Sequence, residues 1–180
     1  MASAPDLLQA IDDLGATSWT GEAFRHTAPQ YQALSGSGAS AIGGRWNPKG
    51  VATVYLAFPQ SACVAEFIRL AQGQARGVDS FLPRDLHTIR VENIDVLDLT
   101  TQKARNAVGI TMNDIDSVDR SACQEVGGAA HYLGIQGVLA PSATRIGFVL
   151  AAFERNLRRG QLTLLETRPL ASVLAGGGSG

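Results

Sequence analysis

Residues 86–99 read LHTIRVENIDVLDL. Leu86, Thr88 and Arg90 alternate with His87, Ile89 and Val91, the two-residue period of a half-buried strand. The spacing predicts a strand over Leu86–Val91 and, after Glu92 and Asn93, a second over Ile94–Leu99. On the C-terminal side, a helix is expected at Thr101–Val108, a loop over the Asp-rich NDIDSVD stretch, and a helix over Arg120–Leu133. Strands follow at Gly137–Ala140, Phe148–Glu154 and Gln161–Glu166. On the N-terminal side, Leu7, Leu8, Ile11 and Leu14 mark an amphipathic helix from Asp6 that Gly15 ends. Glu22–Thr27 is a short strand, and residues 27–44 (TAPQYQALSGSGASAIGG) are a long loop rich in Gly and Ser. Val51–Phe58 is a strand, Pro59 opens a helix to about Ala71, and Gly73–Pro83 is a connection. The order of elements predicts a single α+β domain with a mixed, largely antiparallel sheet over residues 1–170, followed by a flexible Gly/Ser-rich tail at 171–180.

The composition fits that picture. The chain has 180 residues, 45% hydrophobic and 17% charged, with formal net charge -1. That is too apolar for a disordered chain, and near neutrality argues against broad nucleic-acid binding. An N-terminus carrying Asp6, Asp12 and Asp13 does not resemble a signal peptide, so a reduced, cytoplasmic protein is expected. Cys63 and Cys123 are too few for a disulfide framework. Of the fifteen basic residues thirteen are Arg, only Lys49 and Lys103 being Lys. Arg grips phosphates and carboxylates as a planar fork, although GC-rich coding also favours it.

Several motifs fail on context. GSGASA at 36–41 imitates a dinucleotide fingerprint, but no strand leads into it and Pro48 blocks a following helix. Asp114–Glu125 imitates a calcium loop, but Val118 and Asp119 stand where an oxygen ligand and a glycine are needed. His26, His87 and His131 lack metal-ligand spacing, so no metal is expected.

Three features remain. GGRWNPKG (43–50) offers glycines that permit close backbone approach to a ligand, Arg45 as a fork, Trp46 as a stacking face and Asn47-Pro48 as a turn. It could equally be a tight turn with Trp46 anchoring the core and Arg45 in solvent. Glu66 lies in an apolar helix face with Ala62, Cys63, Phe67 and Leu70, where a carboxylate must be paired, hydrated in a cleft or shifted in pKa. A salt bridge to Arg69 would satisfy it. Arg25, in FRHT (24–27), sits between Phe24 and His26.

Taken in order, FRHT, the Gly/Ser loop, GGRWNPKG, VYLA, CVAEF, LHTIRVENIDVLDLTT and RSACQEVGGAAHYLGIQGVLAPSA resemble the RES-domain toxins of bacterial toxin–antitoxin modules, roughly from Trp19 to Arg168. The resemblance implies a fold like that of ADP-ribosyltransferase toxins and NAD as substrate. The bond cleaved joins nicotinamide to its ribose, and inorganic phosphate is the first-choice acceptor. It implies Arg45, Tyr55, Glu66 and Ser121 as catalytic residues, with Ser142 of APSA competing for the serine's place. Arg25, His26, Arg45, Trp46, Asn47 and Tyr55 are implied to bind the dinucleotide; His26 stands where relatives often carry Tyr. Water or a target protein are alternative acceptors. A helical antitoxin covering the site, in a toxin–antitoxin hetero-oligomer, is the implied partner. A non-catalytic module on the same scaffold, with Arg45 and Glu66 paired to each other, is the contrasting expectation.

Overall fold

The computed structural model describes residues 4–74 and 77–176. Among these residues, six strands form one mixed sheet: β1 (Thr17–Thr27), β2 (Thr53–Phe58), β3 (Asp85–Asp98), β4 (Gly137–Pro141), β5 (Phe148–Phe153) and β6 (Leu162–Pro169). Their order is β1-β2-β5-β4-β3-β6, and β1 also pairs with β3, so strands β1 to β5 close on themselves. All pairings are antiparallel except β3 with β4.

The two strands expected within 86–99 are one. Asn93 takes a left-handed conformation (φ 48°), which Asn tolerates better than most residues. Its backbone N–H donates to Thr20 Oγ1 at 2.9 Å, and the register with β1 shifts between Trp19 and Gly21. The extra residue is a bulge, and it reverses the alternation of side chains. Ile89 and Val91 before it and Ile94 and Val96 after it therefore enter the same core, with Ala23, Val54, Leu56, Leu139, Leu150 and Ala152 from the other closing strands. The same pairing extends β1 back to Thr17, well before the expected start at Glu22.

Helices cover the outside of this closed sheet. α1 (Ala4–Leu14), α4 (Gln102–Ala107) and α6 (Ser121–Tyr132) contribute Leu7, Ile11, Ala104, Cys123, Val126 and Ala130 to a core with Leu97, Leu99, Val138, Ala140, Ala151 and Phe153. α3 (Gln60–Gly73) packs Ala62, Cys63 and Phe67 onto Ala57 and Leu86; Ala71 is buried, whereas Leu70, expected inside, is 41% exposed.

Among the described residues, three stretches read as irregular contain α-helix. α2 (Ser37–Ile42) interrupts the Gly/Ser loop. α5 (Met112–Asp116) lies in the Asp-rich segment: Thr111 Oγ1 accepts from the Asp114 N–H, and Asp114 Oδ2 accepts from the Thr111 N–H at 2.7 Å. This reciprocal cap satisfies two otherwise orphaned donors. α7 (Leu170–Gly176) replaces the first part of the expected tail, with Leu170 fully buried; residues 177–180 lie outside the described residues. Among the described residues no helix is long and apolar enough to cross a membrane.

Candidate active site

Helix α3, strands β1 and β2 and the segments at 43–46, 117–120 and 141–143 surround an open cavity of about 760 Å³. It lies within the size range of pockets that hold small molecules and cofactors. Arg25, Arg45, Tyr55 and Glu66, distant in sequence, all line it. Arg69, Arg84 and Arg120 line it too, and among the described residues Glu66 is the one carboxylate that does. Low-dielectric walls bearing this many guanidinium groups make a field suited to a polyanion.

Glu66 is held from across the sheet. Ser142, fully buried at the end of β4, donates through Oγ to Glu66 Oε1 at 2.6 Å and accepts from the Thr144 N–H at 3.0 Å. The expected ion pair with Arg69 is not formed; Arg69 donates instead to the Asp116 carbonyl at 2.9 Å. Arg45 and Glu66 are not paired either. Arg45 donates to the carbonyls of Asp114 (3.3 Å) and Ser117 (2.9 Å), tying the segment after α5 to the cavity wall. The arrangement expected of a closed, non-catalytic module is therefore absent. Guanidinium carries five N–H donors, so Arg45 retains some for a ligand. Arg25 is similar: its η nitrogens donate to the carbonyls of Ala33 and Ser35, each at 2.9 Å.

The GGRWNPKG segment divides its labour differently from the expectation. Trp46 is 1% exposed and packs in the core, so its indole is no open stacking face. Asn47 is fully buried; its amide nitrogen donates to the carbonyls of Ala39, Pro48 and Val51. Tyr55 Oη donates to Asn47 Oδ1 at 2.7 Å and accepts from the Trp46 N–H at 2.8 Å. Burial pushes the phenol's pKa up, so Tyr55 contributes a neutral ring edge to the wall while its hydroxyl serves the scaffold. The glycines serve the same internal packing rather than a ligand. A Cβ on Gly44 would lie 2.3 Å from Tyr55 Oη, and one on Gly127 of α6 would lie 1.9 Å from the Trp46 carbonyl oxygen.

His26 lines the cavity, with its ring edge-on to Phe67 at 5.3 Å and its Nδ1 accepting from Arg84 Nε at 2.9 Å. Burial first, then the neighbouring Arg84, Arg25 and His87, drop its pKa to about 3, so the imidazole is neutral. Burial and the Glu66 carboxylate push the Cys63 thiol up to about 12, which leaves it inert as a nucleophile. Ser121, the serine preferred from the sequence, is exposed at the start of α6 and is not among the lining residues. The serine that meets Glu66 is Ser142 of APSA, the competing candidate that the resemblance offered. Arg84 and Arg120 were not among the expected site residues, and Arg69 was expected only as an ion-pair partner of Glu66; the Arg excess is the one sequence signal for a cavity lined by all three.

Comparison with known proteins identifies the family. A family model described as the RES domain matches residues 22–170. NAD(+) phosphorylase MbcT of Mycobacterium bovis and that of Mycobacterium tuberculosis are each 43% identical over 171 residues, covering 93% of this chain and 92% of the relative. A crystal structure of the M. tuberculosis MbcT-MbcA toxin-antitoxin complex contains a chain 41% identical, with a TM-score of 0.89, covering 98% of this chain and 97% of that one. An arginine-lined cavity, a serine-held carboxylate and likeness along nearly the whole length thus converge: this chain belongs to the RES-domain family.

Proposed function

We propose that the protein is the toxin of a type II toxin–antitoxin pair that cleaves the nicotinamide–ribose bond of NAD in the cytoplasm and transfers ADP-ribose to inorganic phosphate. The observation that carries this reading is Glu66, a carboxylate held by Ser142 in a cavity whose other charged lining residues, among those described, are arginines. A phosphate oxygen forms a bond to ribose C1′ as the C1′–N bond breaks. The bonding pair moves onto the pyridinium nitrogen, so nicotinamide leaves neutral and no oxidant, reductant or metal is required. The barrier lies in developing positive charge on the ribose, and a carboxylate beside it lowers that barrier, as in glycoside hydrolysis.

Arg25 and Arg45 would grip phosphate oxygens, of the dinucleotide or of the acceptor phosphate, with the donors their carbonyl contacts leave over. The Tyr55 ring would bound the nicotinamide ribose. Ser142, rather than Ser121, is the serine of the reaction: it holds one Glu66 oxygen and leaves the other to meet a ribose hydroxyl. His26 would add its Nε2–H at the cavity wall, while Trp46 and Asn47 act from behind as supports. A helical antitoxin that covers the cavity would keep the enzyme silent until it is removed.

The test is incubation of purified protein with NAD, with and without inorganic phosphate, and separation of the products. Nicotinamide and a phosphorylated ADP-ribose in equal amounts are expected, in proportion to added phosphate. Free ADP-ribose alone would make the protein a glycohydrolase, and labelled protein bands would make it a protein-modifying transferase.

A further inference from the structure

A smaller cavity, of about 350 Å³, adjoins the first, and Arg25, His26 and Arg84 line both. Segment 27–38 supplies its other walls, among them Gln32 and Ser37, and among the described residues no carboxylate lines it. The shared wall is built of donors. Arg84 uses Nε on His26 Nδ1 and sets its guanidinium 6.0 Å from the centre of the Phe67 ring. Among the described residues its two η nitrogens have no hydrogen-bond partner. Because Nδ1 of His26 accepts, its proton sits on Nε2, one more donor at the wall. Arg25 is fixed by the carbonyls of Ala33 and Ser35, which anchors the segment forming the smaller cavity to the same wall. Arg25, His26 and Arg84 line the larger cavity together with Glu66, so this wall and the carboxylate face the same space.

Phosphorolysis of a dinucleotide must bring two anions together, and one arginine cluster in one chamber would make them compete. We propose that Arg25, His26 and Arg84 form the oxyanion subsite for the acceptor phosphate, which enters through the smaller cavity while the dinucleotide occupies the larger. This rests on the reading of the reaction given above. It makes Arg84 the residue that selects phosphate over water, since a wall of cationic and N–H donors concentrates an oxyanion and does nothing comparable for a neutral acceptor. The diphosphate of NAD itself has the same chemistry and is the rival occupant.

Initial rates of nicotinamide release, with NAD and phosphate varied independently, separate the two in the wild type, Arg84→Gln and Gln32→Glu. Gln32 is exposed and lines only the smaller cavity, so its change adds a negative charge there without disturbing the core. Loss of charge-assisted hydrogen bonds predicts a phosphate KM raised about tenfold or more in Arg84→Gln. Gln32→Glu should raise it severalfold. The NAD KM should stay within about twofold in both, on the same reasoning. Free ADP-ribose should form a larger share of product in both variants at fixed phosphate, a change that a merely structural role would not produce. A raised NAD KM with an unchanged phosphate KM overturns the proposal, placing the dinucleotide's own diphosphate at this wall.

Thermal unfolding in rising inorganic phosphate, without NAD, reads the site independently of activity. Stabilisation of the wild type that both variants weaken supports the subsite; equal stabilisation of all three, or none, overturns it. Wild-type nicotinamide release indifferent to phosphate would overturn phosphorolysis itself, and the unfolding series would then decide the oxyanion site alone.

Discussion

The two walls of the large cavity use their polar atoms in opposite ways. Where α3 faces the end of β4, Glu66 takes one hydrogen bond, from Ser142, and its second oxygen has no partner among the described residues. Where the 43–47 segment meets β2, Tyr55, Asn47 and the Trp46 N–H satisfy one another, and the polar atoms they exchange are withdrawn from any ligand. Both walls combine polar side chains with an apolar setting, but the first leaves an acceptor oxygen unpaired, whereas Tyr55 and Asn47 in the second leave nothing over. Conspicuous residues in a sequence can therefore be scaffold, and the group on which the proposed reaction rests is the plainer one: an acid in a helix, held by a buried serine.

The sharpest way to break this contrast is Glu66→Gln. It keeps the shape and the Ser142 contact while removing the charge, so kcat should fall on the order of a hundredfold or more with little change in the NAD KM. An unchanged kcat would make the two walls equivalent. Ser142→Ala frees Glu66 to wander and removes a hydrogen bond to a charged group; kcat should fall about tenfold, and Ser142→Thr, which keeps the hydroxyl, should recover part of it. Tyr55→Phe tests the other wall. It strands Asn47 Oδ1 and the Trp46 N–H, so denaturant unfolding should register a loss of about 1–3 kcal/mol while kcat of the folded fraction changes little. A large fall in kcat at full stability would return the Tyr55 hydroxyl to the chemistry.

The wall between the cavities gives a pH signature. His26 has a folded-state pKa of about 3 against an ordinary 6.5. Between those values the unfolded chain binds a proton that the folded chain does not, so stability should fall as pH drops below about 6.5. His26→Asn, which keeps an acceptor for Arg84 Nε but does not titrate, should flatten the profile relative to the wild type between pH 5 and 6.5, read as the unfolding midpoint. The smallest effect is expected at Ser121. It is exposed and outside the cavity, so Ser121→Ala should leave kcat and KM within about twofold of the wild type.

Much of this molecule can be read along the chain, because local periodicity and capping operate over a few residues. The alternation at 86–91, the helix after Pro59 and the α+β order of elements need no distant partner to be visible. So, through the ordered motifs, are Arg25, Arg45 and Glu66. The turn of 43–50 was visible as a turn, but whether Trp46 faced a ligand or the core depended on α6 laying Gly127 against its carbonyl. The single long β3 depended on Thr20 of another strand receiving the Asn93 N–H. Ser142 gained its meaning only when the closed sheet brought residue 142 to residue 66, and Arg84 only when β3 began beside His26. Kind of element and chemical type are properties of short stretches; which donor meets which acceptor is a property of the closed chain, because hydrogen bonds act over about 3 Å and the partners lie scores of residues apart.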